Sequence, residues 1–188
     1  MKQIYLAGGC FWGTQHFFKQ IDGIMHTEVG YANGNLPFPT YEQVYTDQTG
    51  YAETVLIEYN PEQITLEEIL NLYFLTIDPT SLNRQGGDVG TRYRTGIYFT
   101  DEADLSLIQE VYHCIEQKVG EPLAVELLPL QNFYPAELYH QDYLDKNPEG
   151  YCHIPHELID FVKKCKGREE ENKVCRKFFE GIAGQNME

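Results

Sequence analysis

A cysteine that follows two glycines and precedes two large aromatic residues is the feature of this chain best suited to covalent chemistry. Cys10 lies in segment 8–13, which reads GGCFWG. The apolar run at 4–7 predicts a strand before it, and the spacing of Phe17 and Phe18 predicts a helix after it. A helix start presents unpaired N–H groups and partial positive charge, which stabilise a thiolate and lower its pKa. The segment therefore predicts a nucleophilic cysteine at a turn between a strand and a helix.

The residues around the cysteine leave the reaction open. Cys10 could also be a small buried residue at the end of a strand, since free cysteine is often buried. The two glycines, the helix and the adjoining Phe11 and Trp12 favour a nucleophile, because the two aromatic side chains stand where a substrate would approach. A thiolate nucleophile fits acyl transfer, phosphate ester hydrolysis, peroxide reduction and sulfoxide reduction.

The composition predicts a protein of one domain that does not enter a membrane. The chain has 188 residues, and charged residues interrupt every hydrophobic stretch before it reaches membrane-spanning length. The N-terminus lacks the basic start and long apolar block of a secretory signal, so we expect a cytoplasmic protein. The formal net charge of −15 argues against nucleic acid as a partner, because binding it requires clustered cations.

The cysteines do not follow the pattern of a disulfide framework or a metal site. Five are present at irregular spacing: Cys10, Cys114, Cys152, Cys165 and Cys175. An odd number without a secretory signal favours free or redox-active thiols. His153 and His156 follow Cys152 at a spacing too loose for zinc, with no fourth ligand nearby. We therefore expect neither a metal nor another bound cofactor.

The periodicity of the apolar residues predicts an α+β fold. The element order is strand-helix-strand-strand-helix-strand, then a helix and a strand, which is typical of a ferredoxin-like mixed sheet packed with helices. Thr65 and Glu68 predict a capping box, segment 35–50 reads as a loop, and 135–145 predicts a short helix. Beyond Tyr151 we expect an extra helical C-terminal segment. The predicted strands span 4–7, 24–31, 53–59, 94–100 and 123–130.

The cysteine motif is one of several blocks that resemble a known family. Segment 9–13, GCFWG, resembles the signature of the peptide methionine sulfoxide reductase A family. The further blocks, in the family's order, are VGYANG at 29–34, PTYEQV at 39–44, GYAE at 50–53, GTRYR at 90–94, YHQDYL at 139–144 and NPEGYC at 147–152. The resemblance therefore extends from residue 2 to residue 155.

The resemblance implies reduction of the S epimer of methionine sulfoxide, free and in proteins, and hence repair of oxidised proteins. By resemblance, Cys10 attacks the sulfoxide sulfur, and Glu53 is the acid that protonates the departing oxygen. Its place on a strand suits a carboxyl that burial keeps neutral. Tyr41 and Tyr93 match family tyrosines whose hydroxyls donate hydrogen bonds to that oxygen. Asp88 matches a family aspartate that orders the pocket.

The same resemblance assigns the residues that hold the methyl group and those that regenerate the thiol. Phe11 and Trp12 are expected to form an apolar wall that receives the substrate methyl group. Attack leaves methionine and a sulfenic acid on Cys10, which a second thiol converts into a disulfide. Cys152 aligns with the family's resolving cysteine. An external dithiol, thioredoxin or a similar reductant, then reduces the disulfide.

The C-terminal part of the chain is expected to add helix to the catalytic domain. By resemblance, 1–155 form the catalytic domain, and 156–188 form a helical extension in the same globule or facing a partner. The extension carries Cys165 and Cys175, which are secondary candidates for the resolving thiol. Cys165 lies on the apolar stripe of the predicted helix, which favours a packed core thiol. We expect a monomer.

Two other classes of function stay open at this stage. A different thiol enzyme, such as an acyl transferase, would need a histidine that acts as a base toward Cys10. A module that binds methionine-rich or oxidised partners without catalysis would not require Glu53, Tyr41 and Tyr93 together. The presence of these three residues together with Cys10 favours the reductase.

Overall fold

The computed structural model describes residues 1–165, and a mixed sheet runs through their centre. The strands are β1 Lys2–Gly8, β2 Ile24–Ala32, β3 Ala52–Tyr59, β4 Arg84–Gln85, β5 Asp88–Val89, β6 Thr95–Phe99, β7 Glu126–Pro129 and β8 Phe133–Pro135. The α-helices are α1 Phe11–Phe18, α2 Tyr41–Tyr45, α3 Leu66–Leu75, α4 Leu105–Val119, α5 Tyr143–Lys146 and α6 His156–Cys165. The predicted mixed α+β fold packed with helices is confirmed.

The order of strands brings the end of β1 beside the start of β3. The main sheet has six strands in the order β7-β6-β1-β3-β2-β8, and β4 and β5 form a separate hairpin. All neighbours in the main sheet are antiparallel except β6 and β7. Leu6 of β1 pairs with Val55 of β3, so the residues that follow β1 lie near the first residues of β3. This register brings the turn after β1 and the start of β3 together at one end of these two central strands.

Both faces of the sheet are covered, which buries the central strands on two sides. The larger core joins alternate residues of the central strands, such as Leu6 and Val55, to Phe17 of α1 and Ile69 of α3. The intervening residues, such as Leu56, form a smaller cluster on the other face. Full burial of each large apolar side chain contributes roughly 1.5–3 kcal/mol. Polar side chains at the start of β3 are therefore held away from water.

The turn that carries Cys10 depends on the glycine before it. Gly9 has a φ of +82°, in the left-handed region that residues with a side chain rarely adopt. A Cβ on Gly9 would also lie 2.7 Å from the Cβ of Gln85. The predicted strand, glycine turn and helix are confirmed, because β1 ends at Gly8 and α1 begins at Phe11.

Helix α3 supports this turn from the core side. Its predicted capping box is confirmed, since Thr65 accepts from the N–H of Glu68 and the Glu68 carboxylate accepts in return. The buried hydroxyl of Tyr73 on α3 donates to the carbonyl of Ala7 at 2.7 Å and accepts from the N–H of Gly96 at 3.1 Å. Tyr73 therefore links α3 to β1 and β6 just before the Cys10 turn.

The predicted helix over 135–145 is confirmed only at its end, and its predicted start is wrong. Pro135 ends β8, in which Tyr134 pairs with Tyr31 of β2. Pairing with the edge of the main sheet supplies backbone hydrogen bonds that the local sequence does not reveal. α5 begins only at Tyr143.

The predicted loop over 35–50 contains a short helix. Thr40 caps α2, and its side chain and that of Gln43 make a reciprocal capping box. Five residues are too few for an apolar period to show in the sequence, so the loop prediction missed this helix. The helix places Tyr41 at its first position.

The predicted C-terminal helical segment is described as far as Cys165, the last residue of α6. Ile154, Ile159 and Val162 are buried against the core. Cys175 and the remainder of the predicted extension lie outside the described residues. No helix within 1–165 combines the length and the apolar character needed to cross a membrane.

We predict that Tyr73→Phe lowers the free energy of unfolding by about 1–3 kcal/mol, because it leaves the buried N–H of Gly96 without this acceptor. Urea unfolding measures the change. Tyr45→Phe, on an exposed ring, is the control and should change stability by less than about 0.5 kcal/mol. Equal stability of Tyr73→Phe and the wild type would contradict the support described for the end of β1.

Candidate active site

Cys10 is the N-cap residue of α1 and is only 6% exposed. The backbone N–H of Trp12 lies close to its sulfur and favours the thiolate. The backbone N–H of Phe11 donates to Oε2 of Glu53 at 3.0 Å. The first N–H groups of α1 are therefore shared between a thiol and a carboxyl, and both are groups that partial positive charge at a helix start favours as anions.

The pKa of the Cys10 thiol is raised, so the lowering predicted from the helix start is wrong. Burial is the largest cause, because it penalises the thiolate, and the nearby Glu53 carboxylate raises the pKa further. The N–H of Trp12 lowers the pKa by less than these two effects raise it. The resting site therefore holds a neutral thiol, and the helix start alone does not ionise it.

Glu53 is a buried acid at the second position of β3, where it pairs with Tyr31 of β2. The residue is 2% exposed, and burial raises the pKa of its carboxyl from 4.5 to about 8. The N–H of Phe11 and the positive charge of Arg92 oppose this shift without overcoming it. At neutral pH the carboxyl is mostly protonated and holds a proton that it can donate.

Tyr41 and Tyr93 stand close enough to Glu53 and Cys10 for all four groups to interact electrostatically. Tyr41 begins α2, and Tyr93 ends the 3₁₀ turn Thr91–Tyr93. Burial raises the pKa of Tyr41 to about 12 and that of Tyr93 further, and negative charge on Glu53 and Cys10 contributes in both cases. Both phenols stay protonated at neutral pH and act as hydrogen-bond donors.

Arg92 is a buried cation beside these groups that the sequence analysis did not single out. Its guanidinium lies 4.2 Å from the ring centroid of Tyr45 and 4.4 Å from that of Tyr93. The Nη1 atom of Arg92 donates to the Asp47 carboxylate at 2.7 Å. Arg92 therefore supplies positive charge near Glu53 while it stays paired. The GTRYR block contains it, but nothing in the residue types indicates its stacking.

Asp88 begins β5 of the glycine-rich hairpin. Burial raises the pKa of its carboxyl, and the nearby Tyr151 hydroxyl and Arg92 oppose the shift. Its Oδ2 atom is buried and has no hydrogen-bond partner among the described residues. Its charge acts on Cys10 and Glu53, so the hairpin belongs to the same site.

Glu137 and His140 complete the site from the segment before α5, and neither role was predicted. Glu137 accepts from the backbone N–H of Tyr41 at 2.7 Å and from the hydroxyl of Tyr31 at 2.8 Å. His140 is 2% exposed and accepts at Nδ1 from the indole N–H of Trp12 at 3.1 Å. Glu137 therefore fixes Tyr41, and His140 fixes Trp12.

Phe11 and Trp12 differ in exposure. Phe11 is almost fully buried and packs near the rings of Tyr31 and His140. Trp12 is half-buried and stacks on Tyr143 with ring centroids 3.8 Å apart. Of these two aromatic side chains, Trp12 is therefore the one that a substrate could contact, because Phe11 is buried.

Cys152 lies against the first turn of α1, the helix that Cys10 caps. A Cβ on Gly13 would lie 3.0 Å from the sulfur of Cys152, so glycine there lets the thiol pack closely against the helix. Cys10 and Cys152 are both free thiols, and the charge of Cys152 acts on Cys10. The remaining thiols differ: Cys114 is exposed on α4, and Cys165 is disulfide-bonded rather than a packed core thiol.

The described residues contain no cluster of three or more His, Cys, Asp or Glu side chains able to hold a metal ion. The groups in this site that can take part in chemistry are the thiol of Cys10, the acid of Glu53 and the phenol donors Tyr41 and Tyr93.

Comparison with known proteins places this site in a family. The family model described as peptide methionine sulfoxide reductase matches residues 2–172. A peptide methionine sulfoxide reductase MsrA of Clostridium acetobutylicum is 57% identical over 159 residues, which are 85% of this chain and 98% of that protein. The chain belongs to the peptide methionine sulfoxide reductase family.

Solved structures agree with this assignment. The reduced form of Mxr1 from Saccharomyces cerevisiae is 41% identical with a TM-score of 0.78, covering 82% of this chain and 91% of that one. A structure of Mxr1 in complex with Trx2 is 31% identical with a TM-score of 0.54, covering 76% of this chain and 84% of that one.

We predict that Glu53→Gln becomes more stable relative to the wild type as the pH rises. A carboxyl with a pKa of about 8 when folded and about 4.5 when unfolded binds more protons in the folded state. The free energy of unfolding of the wild type therefore falls as the pH rises from about 4.5 to about 8. Glutamine does not ionise, so the variant does not lose this stability, and its side-chain oxygen can still accept from the N–H of Phe11. Urea unfolding at pH 5 and pH 9 should show a difference that grows by several kcal/mol in favour of the variant. A difference that stays constant would contradict the raised pKa.

Proposed function

We propose that this chain catalyses the thiol-dependent reduction of methionine S-sulfoxide, free and in proteins, and thereby repairs oxidised proteins. The observation that carries the proposal is the neutral acid at Glu53 beside the neutral thiol at Cys10, at one helix start. An acyl transferase would need a histidine base at the thiol. Two histidines lie near this site: His140 accepts from Trp12 at Nδ1, and the buried ring nitrogens of His153 have no hydrogen bond to Cys10.

In the first step the sulfur of Cys10 attacks the sulfoxide sulfur while Glu53 gives its proton to the oxygen. The substrate S–O bond then breaks, and an S–O bond to Cys10 replaces the transient bond between the two sulfurs, so a thiol and a sulfoxide become a sulfenic acid and a thioether. The thiol proton restores the acid form of Glu53. Because the acid is neutral before the step, its carboxylate does not repel the developing thiolate until the proton has moved.

The two tyrosines supply hydrogen bonds to the oxygen as negative charge develops on it. Tyr41 and Tyr93 are protonated donors placed by α2 and by the turn that ends at Tyr93. Donors that are already oriented stabilise such charge without reorganisation. Trp12, held by His140 and Tyr143, forms the wall that receives the methyl group, with Phe11 beneath it. Asp88 orders the glycine-rich side of the pocket.

In the second step Cys152 resolves the sulfenic acid. A disulfide forms between Cys10 and Cys152, and the sulfenic oxygen leaves as water with the thiol proton. Cys152 also borders a surface cavity of about 260 Å³ between α6 and the segment before it, through which a reductant can reach its sulfur. The complex of yeast Mxr1 with Trx2 supports thioredoxin or a similar dithiol as that reductant. Cys175 stays a secondary candidate, and Cys165 stays one only once its disulfide has been reduced. No bound cofactor takes part.

We also propose a ferredoxin-like fold for the catalytic domain. The core order β6-β1-β3-β2, joined by α1 and α3, supports the ferredoxin-like label. We further propose a cytoplasmic monomer, with 1–155 as the catalytic domain and 156–188 as its helical extension.

Turnover of each epimer with dithiothreitol as reductant tests the reaction. We expect the wild type to reduce the S epimer and not the R epimer of methionine sulfoxide. Cys10→Ser should lose roughly 10⁴-fold or more in activity, because the nucleophile is gone. Cys114→Ser, at an exposed position on α4, is the matched control and should keep full activity. An inactive wild type, or an active Cys10→Ser, would falsify the proposed reaction.

A second variant separates the two steps. Cys152→Ser should form about one methionine per protein molecule and then stop with a sulfenic acid on Cys10, since no thiol resolves it. Methionine release, and trapping of the sulfenic acid by a cyclic diketone followed by mass spectrometry, measure both. Full thioredoxin-dependent cycling of this variant would instead assign the resolving role to Cys165 or Cys175.

A further inference from the structure

His153 occupies a notch whose walls are the backbones of Gly9, Gly13 and Gly86. A Cβ on Gly9 would lie 3.4 Å from Nε2 of the imidazole, and a Cβ on Gly13 would lie 3.3 Å from Nδ1. On the third wall, a Cβ on Gly86 would lie 3.3 Å from the Cβ of His153. The ring thus packs where three side chains are missing, between the turn that carries Cys10 and the glycine-rich hairpin.

The fit of this ring depends mainly on shape, and the Gly8 backbone is a weak polar neighbour. Both ring nitrogens are buried, and neither has a hydrogen-bond partner of good geometry among the described residues. Burial lowers the pKa of His153 to about 4, against a weaker opposing effect of the Gly8 backbone. The imidazole is therefore neutral at neutral pH, and van der Waals contact with the notch is what holds it.

The position of His153 fixes the position of the thiol next to it in the chain. The sulfur of Cys152 and Nδ1 of His153 lie 3.0 Å and 3.3 Å from the same point, the position of a Cβ on Gly13. On the other side of the thiol, the hydroxyl of Tyr151 accepts from the N–H of Gly87 at 3.2 Å. The segment 151–153 is thus attached at one end to the β4–β5 hairpin and at the other to the turn that carries Cys10.

We propose that His153 is the positioning residue of the resolving step: its ring, packed in the glycine notch, holds Cys152 against α1 within reach of the sulfenic acid on Cys10. In that step the bond between the two sulfurs forms, the sulfenic S–O bond breaks, and water leaves with the Cys152 proton. His153 takes no part in the attack on methionine sulfoxide. The inference rests on the proposed function, because it takes Cys152 as the resolving thiol.

Single-turnover kinetics without reductant tests this role, because it separates the two steps. Methionine release reports the first step, and the appearance of the Cys10–Cys152 disulfide, followed by mass spectrometry, reports the second. For His153→Ala we expect methionine release within about twofold of the wild type and disulfide formation slower by about tenfold or more, since small misplacement of reacting groups is costly. His113→Ala, on an exposed histidine of α4, should leave both rates unchanged.

A second variant distinguishes packing from proton transfer. His153→Leu restores an apolar side chain of similar size without a ring nitrogen, so it should recover disulfide formation to within about threefold of the wild type. Equal loss in the Leu and Ala variants would show that a nitrogen acts chemically and would overturn the proposal. An unchanged disulfide rate in His153→Ala, or equal slowing of both steps, would also overturn it. A wild type that never forms the Cys10–Cys152 disulfide would reject both the resolver and this inference, whatever the His153 variants do.

Discussion

The rest of the site depends on the burial of one carboxyl at the start of a helix. Glu53 lies near the beginning of a central strand, which is covered on both faces, so water cannot stabilise its charge. Within residues 1–165, the backbone N–H of Phe11 donates the hydrogen bond that this carboxyl accepts. Burial outweighs that bond and the charge of Arg92, so the carboxyl keeps its proton up to a pH of about 8.

The protonation state of Glu53 affects the pKa values of the neighbouring thiol and phenols. A charged Glu53 would raise the pKa of the Cys10 thiol and of the phenols of Tyr41 and Tyr93 further. A neutral Glu53 removes that repulsion and, in the proposed reaction, gives its proton to the departing oxygen. In the proposed reaction, the activation of Cys10 therefore depends less on the helix start than on Glu53. This acid is neutral at first and becomes charged only when it gives up its proton.

Much of the fold follows from local patterns, and the failures occur where contacts are long-range or where an element is very short. The strand, glycine turn and helix around Cys10 and the capping box at Thr65 depend on neighbouring residues, so the sequence predicts them correctly. The start of the helix predicted over 135–145 was wrong because Pro135 pairs with Gly30 of β2 and is the last residue of strand β8. α2, which places Tyr41, is too short for its period to be seen.

The candidate site divides in the same way. Motifs indicate Cys10 and Glu53, and the structure brings them together because the end of β1 lies beside the start of β3. The supporting residues carry no local signal. Arg92 becomes important only through its stacking, and His140 only through its bond to Trp12. The direction of the Cys10 pKa shift also escaped prediction, since it depends on burial, which a helix start does not reveal.

The most direct test of this account is the titration of the Glu53 carboxyl itself. Carbon-13 NMR of protein labelled at the glutamate side-chain carboxyl, with the Glu53 resonance assigned by its absence in Glu53→Gln, follows this one group across the pH range. The account predicts a midpoint near pH 8. A midpoint near 4.5, the ordinary value, would mean that the acid is already ionised at neutral pH, and the account would be contradicted.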